Sequence, residues 1–275
     1  MLTRIITAVV AVALLIPVLV FSDTLVFPIA MAGLALVAVC EMLKCTGNKK
    51  LPVLVISAIF GASAPIAARL CSDLSLFVTV AAAVCFCYML FLFALAVFSH
   101  GKYDITSACT DFTLVLYVIA TFTSIVLLRD TAYGASLYLL AFIGPWVSDS
   151  AAYFCGFAFG KHKLIPDVSP KKTVEGSAGG ILFTAVAFVV YGTIVLKPTT
   201  AASYVILALI GFAVSVISQI GDLIASLVKR KFGIKDYGKL FPGHGGVMDR
   251  FDSVLATAPI LLIASVLAEY LNLFA

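Results

Sequence analysis

Apolar runs long enough to cross a bilayer follow one another through this chain and leave few options for its fold. A spanning helix needs about 20 mostly apolar residues. Nine segments approach that length, at roughly 5–21, 25–43, 52–71, 75–98, 113–128, 132–159, 178–196, 202–228 and 254–274. The expected fold class is all-α, a polytopic integral membrane protein of about nine transmembrane helices with a cytoplasmic N-terminus. Only 12% of the 275 residues are charged, against about 25% in a soluble domain.

The cations set the orientation. With the N-terminus inside, cytoplasmic segments hold Arg4, Lys44, Lys49, Lys50, Lys102, Lys161, Lys163, Lys171, Lys172, Lys229, Arg230, Lys231, Lys235, Lys239 and Arg250, which are 15 of the 18 Lys and Arg. The opposite side holds Arg69, Arg129 and Lys197. That asymmetry follows the positive-inside rule. Segment 1–21 has a short basic start, but FSDTLVF offers no A-x-A-like cleavage site, so it reads as a first span. The seven cysteines form no C-x-x-C pair and match no zinc spacing. They read as small buried hydrophobes.

The chain divides by chemistry. Residues 1–130 are five spans with few charges. Residues 131–275 hold most of the clustered polar and charged residues and are expected to carry the chemistry, with cytoplasmic loops 160–177 and 229–252. The sixth and eighth segments are long, and Asp149 and Asp222 near their cytoplasmic ends are expected to line a polar site. Glu41, near a membrane edge, reads as a residue that snorkels or caps and receives no role. Trp146 reads as a packing residue, and His100 and His162 as solvated. GFAFG at 156–160 is too short for a nucleotide fingerprint.

The strongest constellation is residues 219–253, QIGDLIASLVKRKFGIKDYGKLFPGHGGVMDRFDS. Lipid does not tolerate such charge unless it has partners. Asp222, Ser226 and Lys229 share a helix face, and Arg230 follows four residues after Ser226. Asp249 and Asp252 share a face at the start of the last span. Two or three of these carboxylates could converge on a divalent cation with oxygen ligands, which suits magnesium. The cations would hold phosphates, and His244 with Gly245 and Gly246 provides backbone able to approach one. A basic loop gripping anionic headgroups is the plainer reading, but it needs no carboxylates at matched helix ends. A second constellation spans 146–180. It places Asp149 among apolar neighbours and gathers Ser169, Pro170, Lys171, Lys172 and Thr173 into a basic, hydroxyl-rich turn before Glu175. Hydroxyls and lysines beside a helix start suit phosphate binding, whereas lysines flanking a span can also be purely topogenic.

These residues carry a resemblance. SLVKRKFGIKDYGKLFPGHGGVMDRFD, at 226–252, resembles the signature of phosphatidate cytidylyltransferases, also called CDP-diacylglycerol synthases. The match runs through Ser226, Lys229, Arg230, Lys235, Asp236, Pro242, His244, Gly245, Gly246, Asp249, Arg250 and Asp252. Upstream, Trp146, Asp149, Ala152-Tyr153-Phe154, Gly160-Lys161, Ser169 to Thr173 and Glu175-Gly176 are also similar to the family. Phe157 departs from it, standing where many relatives carry Arg. The resemblance is specific over about the last 130 residues and rests on hydropathy elsewhere.

The resemblance implies a nucleotidyltransferase that converts CTP and phosphatidate to CDP-diacylglycerol and pyrophosphate in phospholipid biosynthesis. It implies Asp222 and Asp249 as Mg²⁺ ligands with Asp252 in support, and a monovalent cation such as K⁺ as a further candidate. Lys229, Arg230, Lys235 and Arg250 would clamp phosphates within the same signature as Asp236 and Ser226. Ser169, Lys171, Lys172 and Thr173 would close the nucleotide side, with Asp149 a candidate for the same site. His244 would bind phosphate or protonate the leaving pyrophosphate. The expected partners are CTP, phosphatidate, membrane lipid and a second copy in a homodimer, with no nucleic acid. The expected location is the cell membrane, with the active site on the cytoplasmic side. Three alternatives stay open: a CTP-using lipid or polyprenol kinase, a cytidylyltransferase for a different lipid, and an anion transporter. No inverted repeat of broken helices supports transport.

Overall fold

The computed structural model describes residues 2–48 and 50–271. Lys49, the side chain of Arg4 and residues 272–274 of the last segment, all used above, lie outside the described residues. The described residues form ten helices: α1 Leu2–Val20, α2 Val26–Cys45, α3 Leu51–Leu70, α4 Leu74–Phe98, α5 Ile105–Asp130, α6 Gly134–Leu137, α7 Leu140–Phe159, α8 Val174–Val195, α9 Ala201–Lys231 and α10 Met248–Tyr270. Between α7 and α8 lie two short antiparallel strands, β1 Lys163–Ile165 and β2 Ser169–Thr173, with Lys163 opposite Thr173 and Ile165 opposite Ser169.

The protein is an all-α multi-pass membrane protein. Among the described residues, α2, α3, α4, α5, α8, α9 and α10 are long and apolar enough to cross a membrane. Two of the nine expected segments fall outside that set. In α1 the apolar run is the shorter stretch Val9–Val20, and in α7 the polar triplet Ser148-Asp149-Ser150 dilutes the apolar content. The expected sixth segment is interrupted: Ala141 and Phe142 bond back three residues, to Tyr138 and Leu139, rather than four. Its long helix is therefore the short α6 followed by α7.

Two compact units emerge, one comprising residues 1–127 with 232–250 and the other 128–231 with 251–275. In the first, α2 buries Phe27, Met31, Ala35, Ala38 and Met42, a stripe at three- and four-residue spacing. On α5, Val115, Val118, Phe122, Ile125 and Val126 are buried in the same rhythm. The buried Asp111 accepts from Thr46 Oγ1 at 2.6 Å, Asn48 Nδ2 at 2.6 Å and Tyr103 Oη at 2.9 Å, tying the loops after α2 and α4 to the start of α5. Burial, then the Asp111 charge, pushes the Tyr103 phenol above its ordinary pKa.

In the second unit α8 buries Gly176, Gly180, Thr184, Phe188 and Gly192, one residue per turn. Small residues let membrane helices approach closely enough for dispersion and polar contacts to hold them. The polar contacts are Ser148 to Ser215 at 2.8 Å and Ser177 to Gln219 at 2.5 Å. α9 has 31 residues, about 46 Å of helix against a hydrocarbon core of about 30 Å. Its last turn, Lys229, Arg230 and Lys231, therefore has length to spare beyond the apolar layer.

Candidate active site

Within the first unit, loop 232–250 folds around two carboxylates. Phe241 and Gly245 form an isolated bridge, with Phe241 N donating to Gly245 O at 2.9 Å and His244 N to Phe241 O at 2.8 Å. Gly245 sits at φ +88°, a left-handed conformation that favours glycine. Asp249, in the first turn of α10, is buried, and its Oδ2 accepts from Tyr237 N at 2.8 Å and Gly246 N at 2.9 Å. Glu41 reaches the same turn from α2 and is only 5% exposed. Its Oε1 accepts from Val247 N at 3.1 Å and its Oε2 from Met248 N at 2.9 Å. Lys235, Asp236, Lys239 and Arg250 are exposed around the loop, and His244 is half-buried within it.

The second unit gathers the other charges. Lys172 Nζ on β2 lies 2.6 Å from Asp222 Oδ2 on α9, with the two side chains 24% and 30% exposed. The approach is charge pairing without the alignment of a hydrogen bond. Asp252 on α10 lies within electrostatic reach of Asp222, Lys229 and Asp149. The absence of a side chain at Gly221 permits this: a Cβ there would run into Ala256 and the Asp252 carbonyl. Ser226 and Lys229 are half-buried and Arg230 is exposed. Asp149, flanked by apolar residues in the sequence, is exposed on α7 within its unit. Phe157 is 85% exposed, near the exposed Tyr153, Phe154 and Phe159.

The basic turn is the β-hairpin, and the start of α8 anchors it. Thr173 caps α8 by accepting from Gly176 N at 3.1 Å. Glu175 accepts from Lys161 N at 3.1 Å and from His162 N, and its Oε1 lies 2.6 Å from His162 Nδ1. His162 is 78% exposed, as expected of a solvated residue, but it is also paired with Glu175. Ser169 is half-buried and Lys171 exposed. Trp146 is half-exposed, its ring 6.2 Å from Phe142.

The structure therefore brings Lys172, Asp222, Asp252, Lys229 and Asp149 together in one unit and organises Asp249 with loop 232–250 in the other. Glu41 and Glu175 are additions to the candidate site residues that the sequence marks out. An acid inside an apolar helix was the available signal for Glu41. Among the described residues no three His, Cys, Asp or Glu side chains form a ready metal cage. A hard cation that keeps waters and binds one or two carboxylates plus substrate phosphates does not need one. The aspartate oxygens fit such an ion.

A family model described as the Cytidylyltransferase family matches residues 2–268. The chain is 33% identical over 261 residues to the phosphatidate cytidylyltransferase of Staphylococcus haemolyticus, covering 94% of this chain and 97% of that one. It is 33% identical over 268 residues to that of Staphylococcus epidermidis, with the same two shares. A more similar stretch, 44% identical over 129 residues, aligns with the phosphatidate cytidylyltransferase of Bacillus subtilis and covers 47% of each chain.

Proposed function

We propose that this chain, which belongs to the cytidylyltransferase family, transfers the cytidylyl group of CTP to phosphatidate, releasing pyrophosphate and forming CDP-diacylglycerol for phospholipid synthesis. The observation that carries this reading is the Lys172–Asp222 pair beside Asp252 and Lys229. It sets a cation suited to phosphate against carboxylates suited to a metal ion, on a helix that is otherwise largely apolar. A polyanionic nucleotide and a lipid phosphate meet in such a place.

An oxygen of the phosphatidate phosphate attacks the α-phosphorus of CTP. The bond from that phosphorus to the oxygen bridging to the β-phosphorus breaks, and pyrophosphate leaves with the electron pair. The attacking group is already an oxyanion, so no strong general base is needed. Catalysis then comes from positioning and charge neutralisation. Lys172, with Lys171, Ser169 and Thr173 of the hairpin, holds the nucleotide phosphates. Lys229, Arg230, Lys235 and Arg250 hold the remaining phosphate charge, and His244 contacts phosphate from its glycine turn. Asp222 and Asp249 would hold Mg²⁺, with Asp252 in support, and the ion would neutralise charge on the reacting phosphates. Asp149, within electrostatic reach of Asp252, would serve the same site. A K⁺ ion beside the Mg²⁺ and a homodimeric assembly belong to this proposal on the family resemblance alone. The cation asymmetry supports a cell-membrane enzyme whose site faces the cytoplasm.

The test is product identification with purified protein, phosphatidate, Mg²⁺ and CTP labelled at either the α- or the γ-phosphate. Label from the α-position should enter the lipid. Entry of γ-label, with release of CDP, would identify a lipid kinase instead.

A further inference from the structure

We infer that Glu41 is a positioning residue for this reaction: a carboxylate on α2 that fixes the N-terminus of α10 and with it the aim of Asp249. The inference rests on the functional reading above. Glu41 lies four residues before the end of an apolar helix and is almost wholly buried. A carboxylate there is costly unless hydrogen bonds satisfy it. Its two oxygens take the consecutive N–H groups of Val247 and Met248, which open α10 and have no carbonyl partner within the helix. A negative charge at that end also complements the helix dipole. Glu41 is thus a helix cap supplied from another helix, 206 residues away in sequence.

The next amide back, Gly246 N, goes to Asp249 Oδ2, as does Tyr237 N. Two acids therefore share the N–H groups of one loop, and moving one disturbs the seat of the other. The loop sequence is fitted to this arrangement. A Cβ at either Gly238 or Gly246 would collide with the Glu41 carboxylate. Neither glycine has a positive φ, so backbone conformation does not demand glycine there and the acid does.

The experiment compares wild type with Glu41→Gln and Gly246→Ala in detergent, reading turnover with saturating CTP and phosphatidate, both KM values, and amide exchange over residues 237–250. The glutamine keeps the shape but removes the charge and turns an NH₂ toward a backbone donor. Hydrogen bonds to charged groups suggest a loss in kcat of about tenfold or more, with KM values changed by less than about threefold and faster exchange at Val247 and Met248. Gly246→Ala should reproduce both effects, and Glu41→Asp, one methylene shorter, should partly rescue it. Unchanged exchange in Glu41→Gln overturns the inference whatever happens to activity. So does wild-type turnover in that variant, or failure of Glu41→Asp to relieve Gly246→Ala. If the glutamine variant does not fold, Gly246→Ala and its rescue decide. Wild-type protein that makes no CDP-lipid would defeat the functional reading, while the exchange result would still report on the cap.

Discussion

Asp222, more than two turns before the end of α9, and Asp249, in the first turn of α10, are both short acids, but Asp222 leans on a side chain and Asp249 on the backbone. Asp222 is partly exposed and pairs with a lysine on a two-stranded hairpin. Asp249 is buried and accepts two main-chain N–H groups. A lysine on a flexible stem can leave for a phosphate at little cost. A carboxylate held by two amides can move only if its loop moves. The comparison separates a side that can respond to its ligand from one that stays fixed.

The largest expected effect lies on the fixed side. Asp249→Asn keeps an acceptor for Tyr237 and Gly246 but loses the charge, and turnover should fall about a thousandfold, in the range seen when a preorganised electrostatic group is lost. Steady-state assays with Mg²⁺ titration check this in protein shown to be folded by its thermal transition. Near-normal product formation would remove Asp249 from the metal proposal and leave it a purely structural acid. Lys172→Ala should act differently, raising the KM for CTP about tenfold, the scale of a lost charge-assisted contact, with a smaller change in kcat. An unchanged CTP dependence would make the hairpin lysines topogenic only. Salt should distinguish the two sides further. Raising ionic strength from about 0.05 to 0.5 M should weaken CTP binding through the partly exposed cations, because the Debye length shrinks severalfold. Exchange at the amides on Asp249 should stay nearly constant, and equal sensitivity on both sides would erase the distinction. The smallest effect is expected for Glu175→Gln, which loosens the Lys161–His162 turn and should raise the KM for CTP about twofold, as exposed ion pairs are worth little. A change as large as that of Lys172→Ala would mean that Glu175 meets the nucleotide itself.

Glu41 and Lys172 both find partners that lie far away in sequence. Lys172 reads as a candidate phosphate contact because it stands in a compact basic turn, but its pairing with Asp222 is not legible, since the two are far apart in sequence and either could face water. Glu41 was visible as an acid in an apolar run. Its partners are backbone amides, which carry no side-chain signature. In the sequence the hairpin shows only as a turn: β1 has three residues and β2 five, too short for an alternating pattern to stand out. Asp149 stands among apolar neighbours along the chain, and only the packing of α7 shows that it emerges on an exposed face within reach of Asp252.

The sequence by itself determined the membrane class, the helical content, the charge asymmetry and the residue types of the site. Each follows from local composition: a run of about 20 apolar residues must satisfy its backbone internally, and charges clustered beside apolar helices need partners. Tertiary structure alone decided which acid each group serves. Gly221 lets α9 and α10 cross closely enough to put Asp252 beside Asp222, and α2 delivers Glu41 to amides 206 residues away. Such pairings depend on how helices pack, and a hydrogen bond or charge contact exists only within a few ångströms, a distance that no spacing along the chain specifies.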